Sequence, residues 1–263
     1  EMELKYVDFE VRDGIGFITM NNPEKMNAFT VEGAQSLVRC LEHCSDSGEI
    51  RAVVIRGANG NFCGGGDIKG MKYKVDNDCC ETRPGLRANN AVIKAALNCE
   101  KPIVAWIEGA CAGGGVSLAL ACDITVAQED SKFVFAFVNI GFVPDMGSNL
   151  LLARAVGKVK AAELVMLGNR FTGREAAEWG LITRAVPAEA LEAEVMKLAG
   201  KLAAGPTMAY ARMKKLMNRV QYENLENIMA NEGEYQQQLC KSADHAEAIH
   251  AFFEKRRPAF QGK

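Results

Sequence analysis

Two glycine-rich segments of the chain could place backbone N–H groups around an oxygen atom that gains negative charge. The first has three consecutive glycines at 113–115, between an apolar run typical of a strand at 103–107 and an apolar run typical of a buried helix. Glycine lets the backbone approach a ligand closely, and the first N–H groups of a helix have no partner within it. The segment therefore indicates a candidate oxyanion site.

The second segment, at 57–69, reads GANGNFCGGGDIK and also follows an apolar run, at 52–55. Neither segment matches the phosphate-binding motif GxxxxGK[ST] or the dinucleotide motif GxGxxG, so the sequence does not support those functions. Each glycine run taken alone is also compatible with a simple tight turn. Two such runs, each after an apolar strand, favour a paired site built from backbone amides.

Alternating strand and helix patterns must position these two loops. Thr30 is the predicted N-cap of a helix with apolar residues at helical spacing, and another helix is predicted near 88–97. The alternation indicates an α/β layered fold with parallel strand pairing. The predicted strands cover 6–11, 16–20, 52–55 and 103–107, and helices alone are predicted beyond 205, over 207–220, 223–240 and 243–255.

The composition is that of a globular protein with one large domain. The 263 residues are 48% hydrophobic and 24% charged, and the formal net charge of −2 does not indicate nucleic-acid binding. No apolar run approaches the ~18 residues of a transmembrane helix, and residues 1–10 do not have the form of a signal peptide. Nine irregularly spaced cysteines are typical of reduced thiols, so we predict a cytoplasmic protein without a membrane partner. The CxxHC run at 40–44 lacks a fourth ligand and is interpreted as structural.

Four motifs occur in the order typical of one enzyme family: PEKMNA at 23–28, FCGGGDIK at 62–69, the glycines at 113–115 and FFEKRRPAF at 252–260. Together they resemble the crotonase (enoyl-CoA hydratase/isomerase) superfamily over nearly the whole chain. The resemblance implies an α/β crotonase spiral of ββα repeats over 1–204. It also implies a C-terminal helical region, 205–263, that builds trimers, often paired into hexamers.

The resemblance further implies an acyl-CoA thioester substrate whose carbonyl oxygen is bound by the N–H groups of Gly66 and Gly114. CoA is then part of the substrate, and no metal or other cofactor is expected. Lys25, Lys69 and the basic run at 255–257 are candidates for contact with the anionic groups of CoA, with a solvated basic surface as the alternative. The segment 73–87 is predicted to border the acyl pocket. The predicted substrate-binding residues are Lys25, Asn27, Ala28, Cys63, Gly64, Asp67, Ile68, Lys69, Ser117, Phe137 and Pro144.

The acid–base residues determine which reaction an enzyme of this superfamily catalyses, and at those positions the sequence departs from the hydratase pattern. Ser117 and Phe137 stand where the resemblance places the two hydratase glutamates. A carboxylate occurs instead at Asp145, in GFVPDMG at 141–147, which is similar to the Gly-x-x-Pro-Asp/Glu pattern of the family's enoyl-CoA isomerases and of the ring-opening isomerases of phenylacetyl-CoA degradation. One carboxylate can move a proton between two carbons while the thioester holds the dienolate. Asp145 is therefore the predicted proton shuttle, with an N-cap for a helix beginning near Met146 as the alternative.

The sequence does not have the residues that other reactions of the superfamily require. Dehalogenases need a histidine where the sequence has Asn89 and Asn90, and no histidine is placed to activate Ser117 for hydrolysis. His245 and His250 are predicted to face solvent or a subunit contact. The sequence thus predicts an enoyl-CoA isomerase. A divergent enoyl-CoA hydratase and a non-catalytic subunit that binds CoA esters remain open as alternatives.

Overall fold

The computed structural model describes residues 3–263, so the first two residues of the N-terminal segment lie outside the described part. The chain folds into two sheets surrounded by helices, as the α/β pattern predicts. The strands are β1 Val7–Arg12, β2 Ile15–Met20, β3 Ala52–Gly57, β4 Ile103–Ile107, β5 Ala110–Ala112, β6 Ile124–Gln128, β7 Lys132–Val134, β8 Phe171–Thr172 and β9 Arg184–Val186.

The larger sheet has the strand order β1-β2-β3-β4-β6-β9. Only the pair β1–β2 is antiparallel, and each later neighbour pair is parallel. Because β3 and β4 run side by side in the same direction, the loops that follow them leave the same edge of the sheet. These are the loops that carry the two glycine runs. The smaller sheet, β5-β7-β8, continues from the end of β4.

The helices confirm the predicted pattern, including three helices after residue 206. Thr30 caps the first helix, since its Oγ1 accepts a hydrogen bond of 3.0 Å from the Gly33 N–H. No helix within residues 3–263 combines the length and apolar character needed to cross a bilayer. The helices are α1 Val31–Asp46, α2 Ile68–Asp76, α3 Arg83–Asn98, α4 Gly114–Ala121, α5 Ser148–Leu167, α6 Gly173–Glu178, α7 Leu191–Ala203, α8 Thr207–Gln221, α9 Leu225–Leu239 and α10 Ala243–Glu254, with 3₁₀ turns at Pro23–Lys25, Val138–Ile140 and Ala188–Ala190.

Both faces of the central strands β2, β3 and β4 are buried, which makes them a rigid base for the loops at the edge of the sheet. Successive side chains of a strand point to opposite faces, so Val53 packs into one apolar cluster and Val54 into the other. The first cluster includes side chains from α1, α3 and α4. The second is covered by α7 through Leu191, Val195 and Ala199.

The C-terminal helices pack on the same chain's core. An ion pair of 2.8 Å between the buried Lys214 of α8 and the more exposed Asp123 ties this region to the end of α4. Helix α9 contacts α5, and α10 contacts α2 and the 3₁₀ turn Val138–Ile140. Helices α9 and α10 therefore lie beside the segment 141–147 that contains Asp145.

Candidate active site

The two glycine loops are joined through their backbones. The Cys63 N–H donates to the Ala110 carbonyl at 3.0 Å, and the Ala112 N–H donates to the Cys63 carbonyl at 2.9 Å. These bonds form a parallel bridge between Cys63 and Cys111. The loop after β3 is thereby held against the strand that leads into the glycine triplet.

Glycine is required where the two loops touch. Gly65 has φ +89°, and a Cβ there would lie 2.9 Å from the Ala112 carbonyl oxygen. A Cβ on Gly115 would lie 2.8 Å from the Cβ of Cys63. Real side chains do not tolerate such distances, so the loops approach each other only because these positions have no side chain.

Two N–H groups of these loops are available to a ligand. Gly114 is the first residue of α4, and the first N–H groups of a helix have no acceptor within it. In the part of the chain that the structure describes, neither the Gly114 nor the Gly66 N–H donates to another protein group. Both residues lie on the wall of one cavity of about 440 Å³. Gly66 and Gly114 therefore stay the candidates for the predicted oxyanion site.

The cavity brings together more than half of the predicted site residues. Its wall also includes part of the predicted pocket segment 73–87, with Lys74, Cys80 and Leu86 among the contributors. Predicted catalytic and substrate-binding residues on the wall are Lys25, Gly64, Gly66, Asp67, Ile68, Gly114, Phe137 and Asp145.

Six predicted substrate-binding residues lie off this wall. Asn27 is buried, and its amide nitrogen donates to the carbonyls of Ala58 and Asn61 at 2.9 and 2.8 Å. Its Oδ1 accepts from the Asn22 N–H at 2.9 Å, so the side chain shapes its loop and has no contact to offer a substrate. The residues off the wall are Asn27, Ala28, Cys63, Lys69, Ser117 and Pro144.

Lys25 and Asp67 form an ion pair of 2.5 Å at the cavity. The hydrogen bond to Asp67 raises the pKa of Lys25. Partial burial acts to raise the pKa of Asp67, but the hydrogen bonds from Lys25 and from the Gly70 N–H, together with the charge of Lys25, outweigh it and the pKa is lowered. Asp67 also caps α2 by accepting from the Gly70 N–H at 3.2 Å. Lys25 is thus held at the cavity by Asp67, and the carboxylate of Asp67 is engaged on both oxygens.

Asp145 is half-buried, with part of the residue open to the cavity and its carboxyl group deep in the fold. Burial, and then the carboxylate of Glu232, raise the pKa of Asp145 to about 8. Its Oδ2 accepts a hydrogen bond of 3.1 Å from Nε2 of Gln236. Near neutral pH this group is therefore suited to exchange a proton in either direction.

The N-cap alternative for Asp145 is wrong. Helix α5 begins at Ser148, and its N-cap is Gly147 in a left-handed conformation with φ +72°. Asp145 meets the helix through its backbone carbonyl, which accepts from the Ser148 hydroxyl at 2.6 Å. The carboxylate that accepts the Gly147 N–H, at 2.8 Å, is that of Glu232 in α9.

The prediction for His245 is also wrong. This side chain is 1% exposed and lies on the cavity wall, with its ring stacked on Phe142 at a centroid distance of 4.0 Å. Its Nδ1 lies 2.6 Å from the Ile140 carbonyl, which only accepts, so Nδ1 carries the hydrogen. Burial lowers the pKa of His245, which favours the neutral ring. His250 is partly exposed, and its Nε2 lies 3.0 Å from Oδ1 of Asp76.

Glu232 and Gln236 are site residues that the sequence analysis did not single out. They stand four apart on α9, which places them on one face of the helix. Both are buried, at 4% and 2% exposure. The signal that could have found them is the spacing of polar residues on the same side of the helix as Met229, an apolar core position. That pattern is weak without knowledge of what the helix packs against.

Sequence comparison decides the family. The profile described as Enoyl-CoA hydratase/isomerase matches residues 10–263. The chain belongs to the enoyl-CoA hydratase/isomerase family. The predicted crotonase resemblance is confirmed, and with it an enzyme family that acts on CoA thioesters.

Relatives of this enoyl-CoA hydratase/isomerase family member carry different activity names. A 1,2-epoxyphenylacetyl-CoA isomerase of Escherichia coli is 32% identical over 99% of this chain and 100% of its own. A trans-2-decenoyl-[acyl-carrier-protein] isomerase of Streptococcus mutans is 30% identical, with full coverage of both chains. A crystal structure of an enoyl-CoA hydratase from Mycobacterium avium subsp. paratuberculosis has a TM-score of 0.89 and 33% identity, and covers 98% of this chain and 100% of that one. The crotonase fold is thus confirmed.

Proposed function

We propose that this family member is an isomerase that moves a carbon–carbon double bond in an enoyl-CoA thioester. The observation that carries the proposal is the position of Asp145. Its carboxyl group, with a pKa raised to about 8, lies on the same cavity wall as Gly66 and Gly114, whose N–H groups face no acceptor among residues 3–263. One group moves the proton, and the other two stabilise the oxygen that becomes negative.

The proposed reaction needs no group outside the chain and its substrate. The carboxylate of Asp145 removes a proton from the α carbon of a 3-enoyl thioester. The electrons of that C–H bond form a dienolate, whose negative oxygen accepts hydrogen bonds from Gly66 and Gly114. The carboxyl group then gives the proton to the γ carbon, which leaves the 2-enoyl thioester and restores the carboxylate. We propose accordingly that no metal or other cofactor takes part.

The surroundings of Asp145 favour isomerisation over hydration. Addition of water across the double bond uses one group to activate water and another to protonate carbon. At the two positions of the hydratase glutamates, Ser117 is buried off the cavity wall and Phe137 presents an apolar ring to it. The name of the E. coli relative, a CoA-thioester isomerase, supports the same choice.

The test is Asp145→Asn, assayed with 3-enoyl-CoA and 2-enoyl-CoA esters. We expect the wild type to interconvert them, and the variant to lose about 10²–10⁴-fold in kcat, as for removal of a general acid–base. Calorimetry with a saturated acyl-CoA should show binding within a few-fold of wild type. The exposed Asp130→Asn serves as the matched control.

Three results would contradict the proposal. Undiminished turnover by Asp145→Asn would remove Asp145 from the mechanism. Conversion of 2-enoyl-CoA to a hydroxyacyl-CoA by the wild type would favour a divergent hydratase. Binding of CoA esters without turnover across a broad panel would favour a non-catalytic subunit.

A further inference from the structure

Helix α9 contacts the Asp145 segment through two buried polar side chains. Glu232 and Gln236 lie one helical turn apart and on one face. Buried polar groups need partners, because an unsatisfied one is expensive. Both side chains find those partners in the segment 143–149 around Asp145.

Glu232 holds the segment on the C-terminal side of Asp145. Its Oε2 accepts from the Gly147 N–H at 2.8 Å, and its Oε1 accepts from Asn149 Nδ2 at 2.8 Å. The Asn149 N–H also approaches Oε1, at 3.3 Å. These donors include the otherwise unpaired N–H groups at the start of α5, where a negative charge is favourable. The carboxylate thereby fixes the beginning of the helix from a distant part of the chain.

Gln236 holds Asp145 itself. Its Nε2 donates to the Val143 carbonyl at 2.8 Å and to Oδ2 of Asp145 at 3.1 Å. An amide nitrogen has two hydrogens, so both are used. Within residues 3–263, Oδ1 of Asp145 accepts no hydrogen bond from a side chain. The two oxygens of this carboxyl group are therefore different in their surroundings.

We propose that Gln236 and Glu232 are positioning residues for Asp145, with Gln236 binding Oδ2 so that Oδ1 exchanges the proton with the substrate. This inference rests on the proposed role of Asp145. Glu232 supports this orientation because it binds Gly147 and Asn149, which follow Asp145 in the same segment. A single helix face thus sets both the orientation and the electrostatic surroundings of the carboxyl group.

The other charged groups near Asp145 show how much of the effect on its pKa comes from Glu232. From α10, His245 adds no charge when it is neutral, and burial lowers its pKa. At the cavity, Lys25 and Asp67 neutralise each other, and Lys74 and Glu81 lie on the wall formed by the 73–87 segment. Glu232 from α9 is the charge that acts on the pKa of Asp145, and it acts in the same direction as burial. Its removal should therefore lower that pKa.

The experiment compares Gln236→Leu and Glu232→Gln with two exposed controls on the same helix, Gln238→Leu and Glu234→Gln. Gln236→Leu should lower kcat by about 10–100-fold, the range expected for misplacement of a catalytic group, with KM within about twofold. Glu232→Gln should move the midpoint of the kcat/KM pH profile downward by about one unit, as expected on removal of a like charge. Both controls should match the wild type.

An infrared titration of the Asp145 carboxyl band makes the result independent of turnover. The band is identified by its absence in Asp145→Asn, and its midpoint should fall in Glu232→Gln. An unmoved midpoint, or a Gln236→Leu variant as active as Gln238→Leu, would overturn the inference. A fully active Asp145→Asn would overturn the proposed function instead, whatever the infrared band shows.

A conservative variant separates positioning from folding. Glu232→Asp keeps the charge but shortens the reach to Gly147 and Asn149. We expect kcat to fall while the midpoint of the Asp145 titration stays near that of the wild type. A midpoint that moves as far as in Glu232→Gln would contradict the role of charge assigned to Glu232.

Discussion

At the scale of single residues, the carboxyl group of Asp145 lies deep in the fold near the carboxylate of Glu232, and its Oδ2 accepts a hydrogen bond from Gln236. A carboxyl group of ordinary pKa would be ionised throughout the neutral range and would return a proton to carbon poorly. Burial raises the pKa of Asp145 to about 8, so protonated and ionised forms are both well populated near neutrality. This is the property that a single-group shuttle requires.

The first prediction concerns the pH dependence of the wild type. The reaction from a 3-enoyl ester starts with ionised Asp145, so kcat/KM should rise with pH through a midpoint near 8 and then level off. The measurement is a pH profile of initial rates with 3-enoyl-CoA at subsaturating concentration. A profile that is flat between pH 5 and 9 would contradict this role.

The second prediction concerns stability. The pKa of Asp145 in the fold lies above its ordinary value of 3.8, so its proton favours the folded state. That contribution is complete below pH 3.8 and is lost as pH rises through about 8. Asp145→Asn cannot ionise, so it should melt a few degrees above the wild type at pH 9, with a smaller difference at pH 6. Thermal denaturation at both pH values measures this, and equal differences would contradict it.

Residues close to a recognisable motif could be predicted, and residues joined only by packing could not. Gly66, Gly114 and Asp145 stand in local patterns and lie on the cavity as expected. Gln236 meets Asp145 across 91 positions of sequence, and His245 meets Ile140 across 105. Their roles depend on how the last helices dock, which periodicity does not specify.

At the scale of elements, the start of α4 is the part of the site with the least room. A Cβ on Gly114 would lie 2.5 Å from Sδ of Met146 and 3.2 Å from the ring of Phe29. Met146 directly follows Asp145, so a displaced α4 would disturb both the proposed oxyanion donor and the proposed proton shuttle.

The third prediction follows from that contact. Gly114→Ala should lower kcat by about 10²–10³-fold, comparable with loss of an oxyanion donor. Gly200→Ala in α7, where a Cβ would have open space, is the matched control and should keep full activity. Circular dichroism should show both variants folded. Wild-type kcat in Gly114→Ala would argue against the position of this amide in the site.

Several of the long elements could be predicted from the sequence, but β6, α7 and the short strands were not predicted. Periodicity and apolar runs predict the strands of the larger sheet up to β4 and the helices α8, α9 and α10 within a few residues. The strands β5, β7 and β8 have two or three residues each, which is too short for a pattern. Their pairing exists because the ends of β4 and β6 are already fixed by the larger sheet.

At the scale of the whole molecule, α8 leaves a row of apolar side chains in contact with solvent. Met208, Leu216 and Val220 are 80%, 66% and 76% exposed. Such a surface is typical of an interface between subunits. We propose that it joins copies of this chain into the trimer, or pair of trimers, that the family resemblance implies.

The fourth prediction tests that surface. Light scattering after size-exclusion chromatography should give a mass of about three or six times 28.5 kDa. Leu216→Glu should shift the distribution toward monomer, because burial of an unpaired charge is unfavourable. Lys197→Glu on α7 is the control and should leave the mass unchanged. A monomeric wild type at micromolar concentration would contradict the proposal.

Because α9 contacts the Asp145 segment, the proposed binding of the thioester and the proposed proton transfer depend on two different parts of the chain. In the proposed mechanism, the glycine loops at the end of the parallel strands hold the thioester, whereas helix α9 orients Asp145 and places a charge beside it. These two properties can change separately. We expect that a substitution on the inner face of α9 can change the reaction without changing how the thioester is bound. Enzymes with this fold can therefore diverge in activity through this helix.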